Sequence, residues 1–182
     1  MKHKLITTIV FAALFLISIN SAFAVGNPDI NGVWILDKTK SENLPPDMDQ
    51  QIMTVKQTGD EISIETKTVV GKDEKTDSKT YKLDGKEADY SESLKYTVTT
   101  SSPDGDETTE ATKTVKGRQM AKRTADGVEI IRTSVLGAPD GDNTVKVTRK
   151  LALSADGKML KVTVIVQGAT VNSETKLAFN KK

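Results

Sequence analysis

The sequence predicts an all-β fold: an up-and-down antiparallel meander of about ten strands that curls into a closed barrel. Three observations carry this. Strand-sized segments recur at spacings of roughly 8–16 residues, separated by Gly-containing turns. No segment shows helical periodicity. Third, the stretch from Val128 to Phe179 holds three turn signals, Asp140-Gly141, Asp156-Gly157 and Gly168-Ala169, whose pairing puts apolar residues on one face. Read as two-residue hairpins, they set Val128 opposite Leu153, Leu153 opposite Leu160 and Leu160 opposite Leu177. One step along, Ile130 faces Leu151, which faces Val162. A slip of one residue would send these side chains to the opposite face.

In chain order, the first 24 residues read as a secretory signal. Lys2, His3 and Lys4 supply the positive start, Leu5 to Ile19 the apolar stretch, and Ala22-Phe23-Ala24 the cleavage site. An apolar run of about 15 residues falls short of the roughly 20 that a spanning helix needs. No cysteine follows the site, which closes the acylated lipoprotein route. Residues 25–182 are then expected to form one β-barrel domain, exported to the periplasm or beyond and not inserted in the membrane.

Gly32-Val33-Trp34-Ile35-Leu36 reads as the first strand, ended by Asp37. Leu44-Pro45-Pro46-Asp47 is a linker, because proline lacks the amide donor and restrains the residue before it. Ile52 to Gln57 and Glu61 to Lys67 flank Gly59-Asp60, which sets Val55 against Ile64 with Met53 and Ile62 on the same face. Gly71 to Asp77 reads as a charged loop, and Lys79 to Leu83 as a strand ending at Asp84-Gly85-Lys86. Leu94 to Thr100 meets Glu107 to Val115 across Asp104-Gly105, pairing Val98 with Ala111 and Leu94 with Val115. Arg118 to Thr124 leads through Asp126-Gly127 into the final stretch. Sequential hairpins throughout favour the meander, and closing it removes the exposed edges that invite aggregation. Two echoes, Thr58 to Ile64 with Thr124 to Ile130 and Leu83 to Lys86 with Ala155 to Lys158, fit either a duplicated half-barrel or repeated use of good turns.

Signal removal reshapes the chemistry. Taking 24 residues from 182 leaves 158, a comfortable single domain. The 26 basic residues lose Lys2 and Lys4, so 24 face 25 acidic ones and the formal charge is −1. That balance argues against nucleic acid or an anionic membrane surface as partner. The single histidine, His3, leaves with the signal, and the chain has no cysteine. A Ser-His-Asp triad, a thiol nucleophile and a His-based metal site are therefore excluded from the mature chain. Trp34, Tyr81, Tyr90, Tyr96 and Phe179 are the only mature aromatics, too few for a stacking platform. No cofactor, metal site or enzyme is expected.

Gly32-Val33-Trp34 with Leu36-Asp37 and Lys40-Ser41, and the later Tyr81-Lys82-Leu83-Asp84-Gly85-Lys86 and Leu153 to Lys158 segments, resemble small secreted bacterial lipocalin-like proteins. These place a Gly-x-Trp on the first strand of a calycin-type barrel. The resemblance implies that Trp34 closes one end, beneath a basic residue of the last strand, for which Lys176 is available. It also implies an interior holding a small apolar ligand such as a fatty acid.

The candidate site is a misfit on the apolar face. The rung after Ile130 and Leu151 reads Arg132, Arg149, Val164, two guanidinium groups side by side. At about 5 Å and an effective dielectric of 20 they would repel by roughly 3 kcal/mol. The rung is therefore wet, or paired with an internal carboxylate, or it binds a ligand's anionic group. Arg132 and Arg149 are the candidate anchors. Trp34 is a third candidate, with a core plug as its simpler reading. Pro103 to Asp106 and Pro139 to Asp142 are read as turns, not calcium loops. The leading expectation is a barrel that binds a small apolar or anionic amphipathic ligand. The competing class is a structural or protein-interaction β-domain filled by its own side chains.

Overall fold

The computed structural model describes the backbone of residues 28–102, 105–138 and 141–182, and their side chains outside 94–107 and 136–143. The expected signal, 1–24, lies outside the described residues. Ten antiparallel strands form one sheet: β1 (Gly32–Leu36), β2 (Met48–Thr58), β3 (Glu61–Val70), β4 (Asp73–Lys82), β5 (Ala88–Ser102), β6 (Gly105–Arg123), β7 (Gly127–Ala138), β8 (Gly141–Leu153), β9 (Met159–Gly168) and β10 (Asn172–Lys181). A 3-10 turn, Lys38–Lys40, is the only helical element among the described residues.

The meander is as expected, and its ends join: β1 pairs with β10 through Trp34↔Lys181 and Leu36↔Phe179. The ring stays open at one place. The strand order runs β4-β3-β2-β1-β10-β9-β8-β7-β6-β5, so β4 and β5 are the two edges of the curled sheet. Asp84-Gly85 was expected to make a hairpin and does not. The chain leaving β4 instead docks on the end of β6, where the Gly85 amide donates to the Ala121 carbonyl at 3.0 Å and Asp84 bridges Lys122. The charged stretch after Gly71 also differs from the loop expected there. It is an edge strand, paired Val70↔Asp73 through Glu61↔Lys82, and its many charges discourage another strand from adding to that edge.

The inward face matches the sequence pattern although three registers move by two residues. Val55↔Ile64 and Leu153↔Leu160 pair as expected. In the β7/β8 hairpin, however, Val128 pairs with Leu151, and in β5/β6 Glu92 pairs with Val115. Both ladders leave a Pro-Asp pair between the last partners, Ser102↔Gly105 and Ala138↔Gly141. Proline's fixed φ suits the first central position of a turn and glycine its last corner, which accounts for ladders centred one residue before Asp-Gly. The β9/β10 connection is longer than a two-residue turn: Gln167 pairs with Asn172 and the Gly168 amide donates to the Val171 carbonyl at 2.7 Å. A shift of two preserves the alternation of faces.

The core fills one end of the barrel. Trp34, Ile30, Ile62, Leu160 and Phe179 are fully buried, with Val55, Val128, Ile130 and Leu151 nearly so. Trp34 donates its indole N–H to the Ile30 carbonyl at 3.0 Å. The cation above its ring is Lys181, 5.2 Å away, and not Lys176, which points outward to Glu42 at 2.9 Å. Strand alternation decides this: Lys181 lies opposite Trp34 on the inward face, whereas Lys176 falls between the inward Thr175 and Leu177. Gly32 makes the arrangement fit. Its φ of 141° favours glycine, and a Cβ there would lie 3.1 Å from the Lys181 stem. Outside the barrel, Asp37 ties β1 to β10 by accepting from the Thr39 amide and hydroxyl and from the Asn180 amide. Those donors, led by Thr39, hold its carboxyl far below the usual carboxylate range.

Candidate binding cavity

The other half of the interior is open. A cavity of about 910 Å³ lies above the plugged end, within the range typical of small-molecule sites. On most of the described strands the inward positions change character as they leave the plug. Along β2 the order is Val55, Met53, Gln51; along β3 it is Ile62, Ile64, Thr66; along β8 it is Leu151 then Arg149. Tyr81 gives way to Lys79, Ala121 to Gln119 and Ile130 to Arg132. The floor is thus apolar, made by Met53, Ile64, Leu151, Val162 and Leu177, and the wall above it is polar.

Lining residues also reveal where the cavity opens. Strands other than β4 and β5 contribute inward positions, as alternation requires. The two edges contribute consecutive residues, Asp77 to Thr80 and Tyr90 to Ser93. The space therefore runs out through the slot between them.

Both candidate arginines line this cavity. They are not the opposed pair that the sequence suggested, because the β7/β8 register sets Arg149 opposite Ile130 and Arg132 opposite Val147. Each meets a different environment. Arg132 donates to Glu92 at 2.6 Å and lies 4.0 Å over the Tyr90 ring, whose hydroxyl bonds to Ser134. Glu92 also holds Lys79 at 2.9 Å, which joins the two edges of the slot, and Lys79 reaches Asp77 at 3.3 Å. Burial works against the Arg132 charge, yet the hydrogen bond and charge of Glu92 outweigh it and raise its pKa. For the Tyr81 phenol, by contrast, burial raises the pKa. Arg149 is half-buried and makes no hydrogen bond or ion pair among the described residues.

The lining thus carries four cations, Lys75, Lys79, Arg132 and Arg149, against two carboxylates, Asp77 and Glu92. Both carboxylates are engaged by Lys79 or Arg132, which leaves the positive surplus on Arg149 and the exposed Lys75. Trp34, the third candidate, is not in the lining; it sits in the plug. Glu92 was missed in the sequence, though pairing it on the face of Leu94 and Val115 would have flagged an inward charge. No group of three or more metal-ligating side chains occurs among the described residues.

Glu92 gives the site a defined pH response. Burial alone would raise its pKa, but hydrogen bonds from Lys79 and Arg132 lower it on balance. A carboxylate with a lowered folded pKa adds stability that is present above its unfolded pKa, about 4.3. That stability is lost as pH falls through the folded value. Glu92→Gln is therefore expected to cost roughly 1–2 kcal/mol at pH 7, for a partly exposed charged hydrogen bond. The gap between variant and parent should close as pH falls below about 4. Urea midpoints across pH measure it, and a gap independent of pH would contradict the ion-pair account.

No protein-family model matches the chain, and no curated protein matches it. Among solved structures, the chain is similar to zebrafish ileal bile acid-binding protein complexed with cholic acid. The TM-score is 0.42 and the identity 15%, covering 84% of this chain and 98% of that one.

Proposed function

We propose that the chain is an exported, non-enzymatic binding protein that takes a small amphipathic anion into its barrel. One observation carries the reading: a cavity of about 910 Å³ combines an apolar floor with Arg149, a half-buried cation that the described residues leave unpaired. Burying a charge without a partner is costly, and a carboxylate or phosphate would supply two charge-assisted hydrogen bonds to a guanidinium. The structural or protein-interaction alternative needs a filled interior, whereas the described residues pack the Trp34 end and leave a cavity above it. Export to the periplasm or medium follows from the signal-like first 24 residues, and the near-neutral mature charge disfavours nucleic acid as partner.

Native mass spectrometry of protein purified from its host tests the proposal. A bound small anion, released on denaturation, is the expected result. A uniformly ligand-free protein that also fails to retain added carboxylates would overturn it.

A further inference from the structure

We infer that the ligand's apolar part is compact, a single ring or short chain, and that long-chain fatty acids are not what this cavity selects. The inference rests on the proposed reading of the cavity as a ligand site and narrows its chemistry. It comes from how shallow the apolar floor is. On β2, β3 and β8 a single inward residue, Met53, Ile64 or Leu151, both belongs to the core and lines the cavity. The next inward residue is already Gln51, Thr66 or Arg149. Among the described residues, only β9 continues apolar, through Val162 to Val164.

Two residues of strand span about 7 Å. A tail directed downward from Arg149 therefore has that depth before it meets the plug of Val55, Ile62, Tyr81 and Leu160. A tail directed upward passes a wall of Gln51, Thr66, Thr68 and Gln119 and gains little from burial there. Those same groups offer donors and acceptors to hydroxyls or amides on the remainder of a compact ligand. The ligand class that fits is a small cyclic carboxylate bearing further polar groups.

Titration calorimetry with purified, delipidated protein tests this, using acetate, hexanoate, dodecanoate, hexadecanoate, cyclohexanecarboxylate and 1-naphthoate. Where a chain can be buried, affinity rises roughly fourfold per methylene. Here the rise is expected to stop at about six carbons, the length that a floor two residues deep accommodates. The ring carboxylates should bind at least as tightly as hexadecanoate. A continued rise to hexadecanoate would overturn the inference. If that hexadecanoate binding is lost in Arg149→Leu, the anion-binding function stands while the compact-ligand inference falls. If no carboxylate binds saturably, both fall together.

Discussion

Phe179→Ala is expected to lower stability by about 3–5 kcal/mol, the usual cost of removing a buried aromatic ring. Phe179 has no exposed surface and is paired across the sheet with Leu36 on one side and Leu160 on the other. It sits where the first and last strands, β1 and β10, pair, in the plug with Trp34. The strands around it are held by ladder hydrogen bonds and cannot collapse into the space, so the cavity term should be near the upper end. For a domain of this size the loss corresponds to a fall in melting temperature of roughly 10 °C or more. Thermal unfolding followed by circular dichroism checks it. A fall of only a few degrees would mean that the plug is not the stabilising centre of the fold.

Arg149→Leu is expected to weaken binding of an anionic ligand while leaving stability unchanged or slightly improved. The residue has no described partner to lose, and leucine extends the apolar floor already made by Leu151 and Val162. A charge-assisted pair is typically worth about 1.5–3 kcal/mol, so affinity should drop by at least roughly tenfold. Arg132→Leu should behave differently. It strips Glu92 of one of its two cations and removes the contact over Tyr90, so it should cost stability as well as weaken binding. The pair of variants separates the two roles in one calorimetric experiment. Equal effects on binding and stability from both substitutions would refute the assignment of Arg149 as the free anchor.

The face of each strand could be read from the sequence because alternation has a period of two and every misjudged register was wrong by two. Val128 was paired with Leu153 and proves to pair with Leu151, yet all three remain inward. The rungs were less legible, since they depend on where a turn is centred, and Pro-Asp-Gly-Asp permits two centres. The same displacement separated Arg132 from Arg149. The slot between β4 and β5 left no local trace: Asp84-Gly85 has hairpin chemistry, and only its docking against Ala121 directs the chain elsewhere. Glu92 acquires meaning from Lys79 on one strand and Arg132 on another, 13 and 40 residues away.

By itself, the sequence determined the all-β meander, the inward set of apolar residues, the Gly32-Val33-Trp34 strand, the absence of cysteine and the restriction of histidine to position 3. These follow from local alternation, turn residues and composition, which each segment carries alone. Only the tertiary structure decided which arginine is engaged and which the described residues leave free, that the ring opens at β4 and β5, and that a cavity lies above the packed end. Those outcomes depend on distances between residues far apart in the chain, fixed when the sheet curls and its first and last strands meet.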